Sequence, residues 1–180
     1  KGVPGPLFRM IPWLQEVIPA KGRLHVPRVT VVDVGAMDIG EQPVYSSLVE
    51  GGIADVVGFE PVKEECAKLN KQATAREDMN VGSTQHFLPV ALGAGDRGLF
   101  RQCSNTMTSS FLEPNLKLLS QFHLLEDVTT VIRRSEMMTQ RLDELLPELP
   151  GKRADFLKLD VQGYELEVLR GAETTLCSAL

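Results

Sequence analysis

The sequence predicts an α/β fold built on a doubly wound, mainly parallel sheet, and three observations carry that expectation. Continuous apolar runs in "RVTVVDVG" over 28–35 and "ADVVGFE" over 54–60 have the β-branched content of strands covered on both faces. Segments of helical spacing lie between and after them, giving the strand-helix-strand-helix rhythm of such a sheet. Three of the strands end in a carboxylate, Asp33, Glu60 and Asp160. In an open parallel sheet the ligand sits at the carboxyl ends of the strands, so these acids are expected to converge.

Composition narrows the classes further. Hydrophobic residues make up 43% and charged residues 24% of the 180 residues, the balance and length of one globular domain. The formal net charge of -5 offers no basic face, which argues against nucleic acid as a partner. The chain has no apolar run of the roughly 18 residues a membrane span needs and no signal-like start, so the expected location is cytoplasmic. Cys66, Cys103 and Cys177 are odd in number and widely spaced, and neither a disulfide framework nor a metal site is indicated. Two of them, Cys66 and Cys177, fall on apolar faces of expected helices.

Along the chain, 1–27 reads as an N-terminal helical extension. Its "PLFRMIPWLQEVIPAKG" is amphipathic, interrupted by Pro12, and set to pack Phe8, Trp13 and Ile18 on the domain over 28–180. After the second strand Pro61 suits the first turn of a helix, in which Val62, Cys66, Leu69 and Ala73 share one face. "TQHFLPVALGAG", 84–95, is a third strand that Pro89 places at a sheet edge. "DRGLFRQC" reads as a short hairpin arm, "SNTMTSSFLEPN" as a loop, "VTTVIRR" as a strand and "TQRLDELLPEL" as a capped short helix. "ADFLKLD" supplies a fourth parallel strand over 155–160. In the closing helix Leu166, Leu169, Ala172, Leu176 and Leu180 form one stripe despite Gly171.

The loop after the first strand fits neither common phosphate cradle. A dinucleotide loop needs G-x-G-x-x-G, and only Gly35 and Gly40 are present; a P-loop needs a lysine where Glu41 stands. Asp33 and Glu41 repel a polyphosphate and attract a cationic ligand without phosphate. S-adenosyl-L-methionine, with a sulfonium and an ammonium, is such a ligand, and Glu60 lies where its ribose hydroxyls want an acceptor.

At "VVDVGAMDIG", "VVGFEPVKEECAKLN", "HFLPVALGAGDRG", "MTSSFLEPN" and "RLDELLPELPGKRADFLKLDVQGYELEVLRGAE" the chain resembles the FkbM family of S-adenosylmethionine-dependent methyltransferases, from about Val29 to the C-terminus. The resemblance implies a class I, Rossmann-like fold with seven strands, the last antiparallel, of which this chain is expected to lack the final three. It also implies O-methylation of a hydroxyl on a sugar or natural product. The family loop usually reads D-V-G-A-N-x-G, whereas Met37 replaces the asparagine and the glycine comes one residue late at Gly40. Asp160-Val161-Gln162-Gly163 replaces the frequent D-x-E-G, and a branch with D-x-Q-G, a longer first loop and a tyrosine like Tyr45 is the nearer likeness.

The candidate residues follow. Asp33, Gly35 and Ala36 in the first loop, Glu60 and Pro61 after the second strand, and Val90 and Ala91 after the third are the cofactor-binding set. Asp160 is the candidate catalytic group, a partly desolvated carboxylate that orients the acceptor hydroxyl or takes its proton. Tyr45, Thr108, Ser109 and Gln162 are the candidate substrate contacts. Ser110 belongs to the same loop, and Glu165 is explained equally by the helix dipole. His86 reads as an edge or packing residue. Two rivals stand beside methyl transfer: a nicotinamide-dependent oxidoreductase on the same sheet, and a cofactor-binding module without turnover.

Overall fold

A computed structural model describes residues 28–38, 40–77, 82–149 and 152–178. The expected helical extension over 1–27 lies outside the described residues. Four strands, β1 (Val29–Val34), β2 (Ala54–Phe59), β3 (Gln85–Leu88) and β6 (Phe156–Leu159), form a parallel sheet in the order β3-β2-β1-β6. β3 is at the edge, as Pro89 predicts, and His86 is exposed on it. The strand is shorter than expected because the chain turns after Leu88, and Leu92 makes only an isolated bridge to Gln140.

Alternation along the two central strands explains why both faces are covered. Val32, Val34, Val57 and Phe59 pack on one face against Leu92, Leu142, Leu146, Val168 and Ala172. Leu142 and Leu146 come from α5 (Leu142–Leu145) and its 3-10 turn, Val168 from α6 (Glu165–Arg170), Ala172 from the break before α7 (Glu173–Ser178), and Leu92 from the chain after β3. Val31, Ala54 and Val56 face the opposite way, toward Tyr45 and Val49 of the segment leading into and through α1 (Ser46–Glu50). On that side Cys66, Leu69 and Ala73 of α2 (Lys63–Glu77) pack with Ala36 and Phe87. The helical face read from the sequence is the buried one.

Outside the sheet, β4 (Arg97–Cys103) and β5 (Val131–Met138) make an antiparallel two-stranded arm, with a bulge at Gln102 and Cys103. The strand expected in "VTTVIRR" therefore starts at Val131 and extends through "SEMM". The connection between them holds a 3-10 turn at Thr106–Thr108 and two single-turn helices, α3 (Leu116–Leu119) and α4 (Leu125–Val128).

Three local expectations are corrected. The closing helix is not continuous: α6 ends at Gly171, where a side chain would overlap the carbonyl oxygen of Gly93, and α7 restarts at Glu173. The restart is capped by Asp143 of α5, whose carboxylate accepts from the backbone N–H of Thr174 at 3.0 Å and of Thr175 at 2.8 Å. The buried face is then Val168, Gly171, Ala172 and Thr175, while Leu166 and Leu176 of the expected stripe are exposed. Cys177 is likewise exposed, and it is Cys103 on β4 that joins Cys66 in the interior. Finally, α5 has no side-chain N-cap; Thr139 is instead buried, accepting from the N–H of Gly95 and Asp96 to close the turn before β4.

Candidate functional site

The carboxyl ends of β1, β2 and β6, with the chain following β3, enclose a cleft of about 1010 Å³, part of it open to solvent. From the first loop it takes Asp33 and Gly35, from the end of β2 Glu60 and Pro61, and from beyond β3 Val90 and Ala91. Asp160 and Gln162 enter after β6, and Ser109 from the β4–β5 connection. Nine residues picked out in the sequence thus face one space, which is what parallel strands ending on one side dictate.

Asp33 is buried, and two partners hold it. Lys158 Nζ donates to Oδ1 at 2.9 Å, and the Tyr45 hydroxyl donates to Oδ2 at 2.6 Å. The ion pair follows from register: Asp33 and Lys158 are direct neighbours on β1 and β6, so their side chains leave the sheet on the same face. Lys158 is a cleft residue that the sequence reading missed. Its signal was a charged residue inside the apolar run "FLKL", two positions before Asp160.

Glu60 is also buried, and its pKa is pushed up to about 7. Loss of water is the main cause, with the negative charges of Glu65 and Asp33 adding to it; the Val62 N–H, donating to Oε1 at 2.7 Å, works the other way. Gly35 has φ +77, and a Cβ there would overlap the carbonyl oxygen of Asp160. The close approach that requires glycine is made by the protein's own fourth strand in the sheet, where the sequence reading expected a ligand.

Asp160 is exposed, so the expected desolvation does not hold; β6 flanks only β1 among the described residues. Its Oδ1 accepts from Gln162 Nε2 at 2.9 Å. Gln162 occupies the left-handed region at φ 55, a conformation that costs a non-glycine residue roughly 1–2 kcal/mol. The turn is held from both sides. Glu165 Oε1 accepts from the N–H of Val161 at 3.2 Å and Gly163 at 3.1 Å, and Ser110 Oγ donates to the Gln162 carbonyl at 3.0 Å. Burial works against the Glu165 carboxylate, but those N–H groups keep its pKa below the ordinary range. Glu165 thus supports the loop and is absent from the cleft lining.

A second group missed in the sequence is aromatic. Phe100, Phe111 and Tyr164 line the cleft; Phe100 meets Phe111 edge-on with centroids 5.3 Å apart, and Phe111 stacks on Tyr164 at 4.8 Å. Phe111 adjoins Ser110 and Tyr164 adjoins Glu165, both singled out in the sequence, whereas Phe100 had no such neighbour.

Three sequence candidates fall elsewhere. Ala36 packs beneath the first loop against α2 and, with Tyr45, lines a smaller cavity of about 470 Å³. Tyr45 is buried and turned toward Asp33, which makes it a support for that carboxylate. Thr108 points away, its hydroxyl donating to the carbonyls of Asn105 and Val128. Among the described residues no group of three or more His, Cys, Asp or Glu is arranged to hold a metal, and no helix is long and apolar enough to cross a membrane.

Comparison with known proteins agrees with this architecture. No curated protein and no solved structure matches the chain. Residues 33–179 match the Methyltransferase FkbM domain, a span that opens at the buried Asp33 and runs through β6 to the last helix. With that match covering most of its length, and a class I-like parallel sheet beneath it, the chain belongs to the FkbM methyltransferase family.

Proposed function

We propose that this methyltransferase uses S-adenosyl-L-methionine to methylate a hydroxyl oxygen of a small-molecule acceptor, a sugar or natural product, in the cytoplasm, and that it belongs to the D-x-Q-G branch of its family. One observation supports the cofactor above the rest. Among the described residues the ionisable groups lining the cleft are the acids Asp33, Glu41, Glu60 and Asp160, the phenol of Tyr164 and one ammonium, Lys158, which is already paired with Asp33. Among the described residues no arginine or histidine lines it to meet a phosphate. A cationic nucleoside without phosphate fits that donor set; a dinucleotide does not, and the family match gives the oxidoreductase reading no support.

Glu60 would accept hydrogen bonds from the ribose hydroxyls, which favour its ionised form. Pro61, Val90 and Ala91 supply apolar surface beside it. Asp33, held by Tyr45 and Lys158, presents a fixed negative charge to the methionine end. When bound, the cofactor supplies an electrophilic methyl on a sulfonium that leaves as a neutral thioether. The chain's own task is alignment and the handling of one proton. Asp160, exposed and hydrogen-bonded by Gln162, would orient the acceptor hydroxyl, take its proton and pass it to water. Ser109 lines the same cleft.

Calorimetry with S-adenosylhomocysteine and with NAD tests the reading. Binding of the first alone is expected, and Glu60→Ala should weaken it by on the order of 1–3 kcal/mol. Preference for NAD overturns the proposal. Binding of S-adenosylhomocysteine by a protein that methylates no hydroxyl compound in a broad screen would identify a module without turnover.

A further inference from the structure

We propose that the acceptor is an uncharged, largely apolar ring compound that carries its hydroxyl on a flat scaffold and bears no phosphate, sulfate or carboxylate group. This rests on the methyl-transfer reading above and narrows its acceptor.

The aromatic wall is the first observation. Phe111 sits directly on the backbone of β4, because Gly98 has no side chain; a Cβ there would come within 2.7 Å of the ring. Tyr164 stacks on it from the loop after β6, and Phe100 meets its edge. The Phe111 carbonyl accepts from Arg101 Nη1 at 2.5 Å, and the adjacent Ser110 is bridged by backbone hydrogen bonds to Arg101 and by its hydroxyl to Gln162. The rings are therefore positioned by the protein before any ligand arrives, and an apolar ring meets them with little ordering cost.

Polar groups near this wall are engaged elsewhere. Ser110 Oγ donates to the 161–162 turn and accepts from the Leu112 N–H at 3.1 Å, Ser109 Oγ accepts from the Cys103 N–H at 3.1 Å, and the Gln162 amide donates to Asp160. A polyol, which needs a partner for each hydroxyl it buries, finds few here. Charge decides the remaining question. Asp160, Glu60, Asp33 and Glu41 line the same cleft as the wall, while Lys158, the one cation among the described lining residues, is occupied by Asp33, so an anionic acceptor would be repelled.

Calorimetry on the full 180-residue chain saturated with S-adenosylhomocysteine tests this, with 2-naphthol, 3-hydroxy-2-naphthoate and glucose as probes. The naphthol is expected to bind, its carboxylated analogue about tenfold more weakly, and glucose not at all. Phe111→Ala should weaken naphthol about tenfold with S-adenosylhomocysteine affinity changed less than about twofold. Gln162→Lys, which sets a cation against Asp160, should strengthen binding of the naphthoate, a gain that misfolding cannot mimic. Failure of naphthol to bind, equal binding of the naphthoate, or preference for glucose overturns the inference and leaves the cofactor reading standing. Failure of S-adenosylhomocysteine itself to bind overturns both.

Discussion

At the start of β2, Asp55 accepts from Arg28 Nε and Nη2 at 2.6 Å each and from the hydroxyl and N–H of Thr84 at 2.5 and 3.2 Å. Just past the other end of that strand, Glu60 has one described donor, the N–H of Val62. The pKa values follow the partners. The hydrogen bond from Arg28 is the largest influence on Asp55 and brings it down to about 2, whereas burial pushes Glu60 up to about 7. β6 begins in the same manner as β2, with Asp155 held by Arg153 and by the N–H of Thr30. One end of the sheet uses its acids to tie neighbouring strands together. At the other, the protein leaves Glu60 short of partners, an arrangement that opposes its own stability and suits a ligand that brings donors.

Breaking the tips should cost the most. Gly35→Ala forces a side chain into the Asp160 carbonyl at positive φ, and we expect a loss of about 3 kcal/mol or more in denaturant unfolding. Lys158→Met leaves Asp33 buried with its charge supported by the Tyr45 hydroxyl, at a cost of about 3 kcal/mol by the same measurement.

The pH dependence should separate the two ends by sign. Glu60 has a folded pKa raised above its ordinary 4.5, so its contribution is fully present below 4.5 and is lost as pH rises through about 7. Stability of the ligand-free protein should fall by on the order of 2 kcal/mol across that window, and Glu60→Gln should abolish the fall. Asp55 behaves oppositely: its folded pKa is depressed, so its contribution is present above 3.8 and lost as pH drops through about 2. On the proposed cofactor reading, ribose donors would favour the Glu60 carboxylate, and S-adenosylhomocysteine should then bind more tightly at pH 8 than at pH 6, which calorimetry reads directly. The smallest effect belongs to Asp55→Asn, a loss of about 1 kcal/mol at pH 7, opposite in sign to Glu60→Gln. Equal signs for the two substitutions would erase the contrast between the ends.

What the sequence made legible follows physical range. The covered strands could be read because apolar β-branched runs are local, and the acidic tips because a strand's last residue is local too. The buried stripe of α2 survives for the same reason. The pairing of Asp33 with Lys158 was hidden because it depends on which strand lies beside β1 and in what register. The need for glycine at 171 was hidden because the carbonyl that crowds it belongs to Gly93, far away in the chain. Asp160 was misjudged in burial since exposure of a strand end is set by what flanks it, and Tyr45 was assigned to a ligand when its hydroxyl serves Asp33.

The rung shared by Asp33 and Lys158 joins residues 125 positions apart. During synthesis on the ribosome, Asp33 emerges long before its cation exists, and it stays hydrated until β6 docks beside β1. Closing so long a loop is slow, so the charge balance of the binding site matures at the end of folding. A cofactor that requires that balance stabilises the finished protein by mass action and gives no help to the nascent chain.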